Sequence, residues 1–266
     1  MLQAILLNKA GRSISSNEVH WRQLFSASED SLTSTIFGIL FYLPKNLFWQ
    51  VLLNACYNSP ISNINNIIER IEYWPRWNAK NSTNSSFIEP DIFIRTQDFD
   101  LIVEAKRYDL NQQNKFQWEN EFIGYLNHYY DADKNIYLLA VGGINDEQVE
   151  VLEIGSKKCF VIKCRWGRIL LEVKRLKKEI EKNENNFNYT DSLLAIIQDL
   201  IIGFRIHGYA TGEWFEDTEL NIKIDNLTFD FLSSLRLDFK IINWNSNELE
   251  KFVIYNSSLS YFINKK

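Results

Sequence analysis

Cysteine is scarce in this chain. Only Cys56, Cys159 and Cys164 occur among 266 residues, with no Cys-x-x-Cys pair and no histidine at zinc spacing. That excludes a disulfide-stapled scaffold and a zinc ribbon, and it fits a reduced, cytoplasmic protein with buried thiols. A basic excess is also lacking. The formal net charge is -5, so the whole chain is not a general nucleic-acid binder, and any phosphate-binding surface has to be local. No apolar run reaches membrane-spanning length, and no membrane association is expected. The first residues, Met1 to Arg12, have only a short apolar stretch broken by Asn8 and Lys9, which does not read as a signal peptide. Internal repeats, low-complexity linkers and a helix-turn-helix or zinc-finger reader are absent as well.

What is present is ample apolar material, 45% of the residues, with 14% aromatic. This suffices for one sizeable core. Ser26 to Leu43 is expected as a helix, capped by Ser28, with Glu29 and Asp30 in its first turn and Leu32, Ile36 and Leu40 at helical spacing. Pro44 ends it. Helices are also expected over Leu47–Tyr57 and Ile64–Glu72, followed by Trp74, Pro75 and Trp77 and an Asn/Ser-rich loop. Phe87–Arg95 and Asp100–Tyr108 read as a hairpin turning at Thr96-Gln97-Asp98. Further along come a helix over Phe116–Tyr130, strands over Asn135–Val141 and Cys159–Arg165, and helices over Arg168–Lys182 and Asp191–His207. The simplest organisation is one α/β domain, residues 1–208, with a C-terminal extension, residues 209–266, packing on it.

The chemistry concentrates in Glu89-Pro90-Asp91 and Glu104-Ala105-Lys106, twelve residues apart. Residues two apart on a strand share a face, so Glu104 and Lys106 project together, and the hairpin returns Asp91 beside them. Leu101-Ile102-Val103 leads into this cluster and reads as buried. Buried charges need a partner or a metal. Oxygen donors at this density suit Mg²⁺ or Mn²⁺, which accept phosphate oxygens and activate water. Lys106 would then face the charge that develops on a phosphoryl group.

Pro90-Asp91 with Glu104-Ala105-Lys106 resembles the Pro-Asp…(Asp/Glu)-x-Lys signature of the PD-(D/E)XK, or restriction-endonuclease-like, nuclease superfamily. A bacterial branch of it is similar in three further places. These are Glu29-Asp30-Ser31-Leu32-Thr33 with Phe37-Gly38, Trp74-Pro75, and Gln117-Trp118 with Glu121. Arg165-Trp166 resembles a later signature, without the small hydroxyl residue that usually precedes the tryptophan. The resemblance runs from Ser26 to Trp166, with weaker echoes through Gly208. It implies a mixed sheet flanked by helices and a Mg²⁺- or Mn²⁺-dependent nuclease, with DNA as the expected substrate. The setting it implies is a bacterial defence or DNA-processing system with a protein partner or a homo-oligomer. It also implies that Asp91, Glu104 and the Ala105 carbonyl hold the metal. An upstream carboxylate supports them: Glu29, on the stripe of Leu32, Ile36 and Leu40, in preference to Asp30. Gln117 orients the substrate or Lys106.

Each feature has an ordinary explanation too. Asp91 and Lys106 can be an ion pair across a hairpin. Glu29 and Asp30 suit any helix start, and Gln117 any exposed helix face. His20, His128 and His207 are scattered, and are expected as core or surface residues rather than as a catalytic base. Lys174-Arg175 and Lys177-Lys178 are interleaved with Glu172, Glu179, Glu181 and Glu184, which points to a salt-bridged helix face as readily as to a phosphate site. Trp74, Trp77 and Trp118 are expected in the core. A basic patch would arise if the sheet edge gathered Lys106 and Arg107 with Lys157 and Lys158. The rival functions are a non-catalytic scaffold of the same fold and an RNA-directed nuclease.

Overall fold

A computed structural model describes residues 25–62, 65–83, 86–108, 110–129, 133–182 and 190–209. The predicted C-terminal extension, from residue 210 on, the N-terminal segment with His20, and Glu184 lie outside the described residues. Within them the chain is α/β. A mixed seven-stranded sheet is flanked by helices on both faces.

The first helix, α1 (Glu29–Leu40), starts at Ser28, whose hydroxyl accepts from Ser31 N at 3.3 Å, and its Leu32, Ile36 and Leu40 are buried as the spacing requires. Pro44 separates it from α2 (Lys45–Ala55). β1 (Cys56–Tyr57) follows, then β2 (Ile68–Tyr73), β3 (Trp77–Asn78), β4 (Phe87–Ile88), β5 (Ile92–Thr96) and β6 (Phe99–Ala105). After α3 (Lys115–His128) come β7 (Asn135–Val141), β8 (Glu150–Ile154), β9 (Lys157–Cys164), α4 (Trp166–Lys182) and α5 (Thr190–Ile206). The sheet order is β1-β9-β7-β6-β5-β2, with β8 also on β9. β9, β7 and β6 run parallel, and β6-β5-β2 are antiparallel neighbours. β3 and β4 make a separate two-stranded ribbon.

Two predicted elements need correction. Ile64–Glu72 is not a helix, because its residues from Ile68 on belong to strand β2 on the sheet edge. Ile68 and Ile71 stand three apart, which mimics a helix. A register shift between Ile68 and Arg70 lets both reach the same core from a strand. Phe87–Arg95 is not one strand either, since Glu89-Pro90-Asp91 divides it into β4 and β5. β1 and β8 were not foreseen from the sequence. β1 is two residues long, and β8 is half-exposed on the sheet margin.

The sheet separates two apolar clusters. One packs Ile92, Ile94, Leu101, Val103 and Ala105 against α1, α2, α4 and α5. The other packs Phe93, Ile102, Leu138 and Ala140 against Trp118, Phe122 and Tyr125 of α3, with Trp77 and Ile88 beside them. Strand alternation therefore assigns Glu104 to the α3 face and its neighbours Val103 and Ala105 to the other. The three cysteines are buried and reduced, and Cys56 and Cys164 are cross-strand partners in β1 and β9.

Candidate active site

β6 ends where two constraints meet. The Lys106 amide donates to Val141 O at 2.7 Å, so the strand holds its register against β7 to that point. Gly142 and Gly143 then turn with φ of 68° and 64°. A Cβ on Gly142 would meet the Lys106 and Tyr108 carbonyls, and one on Gly143 would meet the Lys106 side chain. Only glycine allows the β7 turn to pass this closely beneath Lys106. From the other side the Trp166 indole donates to Lys106 O at 2.8 Å. Trp166 of the Arg165-Trp166 pair thus anchors the segment that carries the lysine, while Arg165 turns to Tyr57 and Glu147.

The side chains singled out in the sequence come together at this point. Asp91 lies one step beyond the Ile92–Val103 pair of β5 and β6, which sets it across from Glu104 on the α3 face. Its Oδ2 accepts from the Ala105 amide at 2.8 Å and its Oδ1 from Trp74 Nε1 at 3.3 Å. Trp74 of the Trp74-Pro75 pair therefore also reaches the cluster. Glu104 Oε1 accepts from Lys106 Nζ and from Gln117 Nε2, the latter at 2.6 Å. Glu29 crosses from the opposite face of the sheet. Its Oε1 lies 3.5 Å from Lys106 Nζ, and its Oε2 accepts from the Arg107 amide at 2.7 Å. Asp30 is exposed, so Glu29 is the upstream carboxylate that reaches the cluster. Gln113, not singled out in the sequence, donates to Glu104 O at 3.0 Å and accepts from Trp118 Nε1.

The electrostatics are unbalanced toward negative charge. Burial, reinforced by the Glu104 carboxylate, pushes Asp91 up to about 8, and the Ala105 hydrogen bond and Lys106 only partly oppose this. Burial works against the Lys106 charge, but Glu104, Glu29 and Asp91 outweigh it and hold the ammonium protonated. Glu121, named in the sequence beside Gln117-Trp118 as part of the resemblance but given no role there, also belongs to this cluster. It is 2% exposed, and burial together with the adjacent Glu104 drives its carboxyl far above the usual range. Its spacing of four from Gln117 on α3 was the available signal. Beside these groups opens a cleft of about 280 Å³ lined by Ile88, Glu89, Gln117, Asn120 and Glu121.

All the candidate donors are oxygens, which suits a hard divalent cation. Among the described residues no three Asp, Glu, His or Cys side chains already converge as a ligand shell. A set of Asp91, Glu104 and the Ala105 carbonyl does not require one, since Mg²⁺ keeps several waters. The excess of carboxylate over ammonium is the feature that fits a cation.

Other expectations fall away from the site. Lys157 and Lys158 do not join Lys106 and Arg107. β9 runs parallel to β7 and β6, so its first residues lie at the opposite end of the sheet, where they pair with Asp133 and Glu153. On α4, Arg175 pairs with Glu172 and Lys177 with Glu181, so this face carries intrahelical ion pairs. Trp77 and Trp118 are core residues, and Trp74 is half-buried. His128 is exposed and stacks on Trp77. His207 is buried, and burial with the nearby Arg107 charge lowers it to about 4.

No family model matches the chain. An uncharacterized protein of Pasteurella multocida (strain Pm70) is 30% identical over 268 residues, covering 94% of this chain and 96% of that protein. Among the described residues no helix is long and apolar enough to cross a membrane.

Proposed function

The chain belongs to the same family as the uncharacterized Pasteurella multocida protein, and from its site we propose that it is a divalent-metal-dependent nuclease of the restriction-endonuclease-like class acting on DNA. One observation carries this reading. Asp91, Glu104 and Lys106 meet at the end of β6 on one face, with carboxylate in excess of ammonium, beside an open cleft. A structural ion pair needs one carboxylate for one lysine, whereas here Lys106 serves Glu104 and Glu29 while Asp91 and Glu121 remain to be neutralised.

The chain's own groups divide the work. Asp91 and Glu104, with the Ala105 carbonyl, would hold the Mg²⁺ or Mn²⁺. The bound ion would polarise the phosphodiester and lower the pKa of a water. Lys106 faces the phosphoryl oxygens or the attacking water and offsets charge that develops on them. Gln117 fixes the Glu104 carboxylate, and Glu29 fixes Lys106 through its ammonium and the next backbone amide. We place the protein in the cytoplasm, in a bacterial defence or DNA-processing setting. Recognition of the target falls to a protein partner or to self-assembly, since the net charge of -5 leaves the free chain little attraction for phosphate.

The test is cleavage of linear, circular and single-stranded DNA, and of RNA, with Mg²⁺ or Mn²⁺, beside a Lys106→Ala control. Metal-dependent DNA cleavage lost in the control supports the proposal. Cleavage of RNA alone moves the substrate class. No cleavage together with no Mn²⁺ binding leaves the scaffold reading.

A further inference from the structure

Exposed apolar side chains are gathered on one segment beside the site. Among the described residues Tyr108, Leu110 and Phe116 are exposed and follow closely in the chain, whereas Tyr42, Ile67 and Val151 stand far apart in sequence. Single exposed apolar residues are ordinary, but a group of them marks a binding surface. Tyr108 is 67% exposed and Phe116 71%. The chain itself ties both to the cluster. Tyr108 stands two residues after Lys106, and Phe116 immediately precedes Gln117, which reaches Glu104. Consecutive Cα atoms are about 3.8 Å apart, so each ring is rooted within about 8 Å of a cluster residue's Cα. Phe116 also lies one helical turn before Asn120, which lines the cleft with Gln117 and Glu121.

The backbone under both rings is fixed while the rings are left in solvent. The Tyr108 amide donates to Gln112 Oε1 at 2.7 Å, and its carbonyl accepts from the Gly143 amide. The Gln112 and Gln113 amides return to Gly143 O at 3.0 and 2.9 Å. Asn111 turns at a φ of 58° and donates to Asn145 Oδ1 at 3.1 Å. The Phe116 amide donates to Asn114 Oδ1 at 2.9 Å, at the start of α3. Rings presented on so rigid a base lose little further freedom when a ligand covers them.

The surrounding charge identifies the ligand. Residues 106–116 carry Lys106, Arg107 and Lys115 against one acidic residue, Asp109, in a chain whose net charge is -5. The Arg107 guanidinium lies 5.8 Å from the centre of the Tyr108 ring. Cations interleaved with exposed rings suit a strand that offers phosphates and bare base faces together. Lys106 and Lys115 already have Glu104 and Glu150 as partners, so the rings rather than phosphate contacts would carry the affinity. A duplex stacks its bases on one another and leaves no face for such a ring.

We propose that Tyr108 and Phe116 are stacking platforms for the bases of an unpaired DNA strand, and that the site takes its substrate in single-stranded form. This rests on the reading of the cluster as a nuclease centre. Stacking tolerates any base, so the platforms set strandedness and leave the choice of target to a partner or to self-assembly.

The experiment measures binding by fluorescence anisotropy on the full-length Lys106→Ala chain with Mg²⁺. The probes are a single-stranded oligonucleotide, the same strand with base-free sugars, and its duplex. Phe116→Ala and Tyr108→Ala are added singly, with Phe116→Trp and Phe116→Leu beside them, and thermal melts check folding. The single strand should bind more tightly than the duplex, and each ring lost should weaken it by about 5- to 150-fold. Duplex binding should stay unchanged, Phe116→Trp should bind as the parent does, and Phe116→Leu should not. On the base-free strand the ring variants should equal the parent. Failure to bind the single strand, equal loss on duplex, or a loss that persists without bases overturns the proposal. Self-association that the same substitutions abolish, with strand binding intact, would assign the rings to contact between copies and also overturn it. Base-dependent binding by a wild type that cleaves no DNA would retain the platforms and remove the nuclease reading. Cleavage of single-stranded and duplex DNA alike, insensitive to both rings, would do the reverse.

Discussion

The two faces of the sheet are built from the same strands but to different rules. On the side of α1, α2, α4 and α5 the strands present Ile92, Ile94, Leu101, Val103, Ala105, Leu139, Val141 and Ile162, all apolar. On the α3 side the same strands present Asp100, Glu104 and Lys163 among Phe93, Ile102 and Val161, with Asp91 just before β5. Asp100 is matched by Arg95 at 2.8 Å and by the Tyr125 hydroxyl at 2.8 Å. Lys163 is matched by Asp146 and Glu150, both at 2.7 Å. The charges away from the end of β6 are thus paired, while those at that end are carboxylate-rich. The apolar face gives the sheet its stability. The other face gives up some of it to hold charge in one place.

Several substitutions would sharpen or break that contrast, the largest effect coming on the apolar face. Phe48→Ala, at a fully buried ring, should lower unfolding free energy by about 3–5 kcal/mol in a denaturant titration. A loss below about 1 kcal/mol would mean this face is not the stabilising one. On the charged face Lys106→Ala should reduce metal-dependent cleavage by about 10²–10³-fold, as does removal of one donor to developing transition-state charge. Unchanged turnover would return the lysine to a structural role.

Gly142→Ala comes next. The added methyl meets backbone carbonyls at a φ of 68°, and about 1–3 kcal/mol of destabilisation is expected, with cleavage falling as Lys106 is displaced. Full activity would show that the β7 turn does not set the lysine's position.

Asp91→Asn acts in the opposite direction and through pH. The folded Asp91 ionises near 8, against 3.8 for the free group. Between those values the folded chain keeps a proton that the unfolded chain has released, so stability falls as pH rises through the window. The Asn variant lacks this loss. Its metal-free unfolding free energy should decline less between about pH 4 and 8 and exceed the wild type by roughly 1–3 kcal/mol at the upper end. Parallel pH profiles would contradict the raised ionisation that burial and the neighbouring Glu104 give Asp91. The smallest effect is expected for Lys177→Ala, which removes a partly exposed intrahelical pair with Glu181 and should shift stability by less than about 0.5 kcal/mol.

Much of this contrast was readable in the sequence where local signals were strong. Ser28 with the Leu32, Ile36, Leu40 stripe marks α1, and the apolar run bounded by Gly142-Gly143 marks β7. Spacing along one strand joined Glu104 to Lys106, and the hairpin joined Asp91 to both. Contacts that cross between elements were not readable. The approach of Glu121 to Glu104 depends on how α3 docks on the sheet. The failure of Lys157 and Lys158 to reach the site depends on β9 being parallel, which no local spacing records. At β2 the local signal was itself misleading, because a register shift reproduced helical spacing on a strand.

The three thiols offer a different kind of access to this molecule. Cys56, Cys159 and Cys164 are at most 7% exposed, and two of them face each other where β1 closes the far edge of the sheet. A thiol reagent can reach them only when that edge opens or the whole chain does. The rate of their labelling therefore reports opening events directly, in a chain whose site needs no cysteine. Slow labelling by a neutral alkylating agent, accelerated in step with denaturant, would read out whole-molecule opening. Cys56 reacting ahead of Cys159 would show instead that the β1 edge peels away on its own.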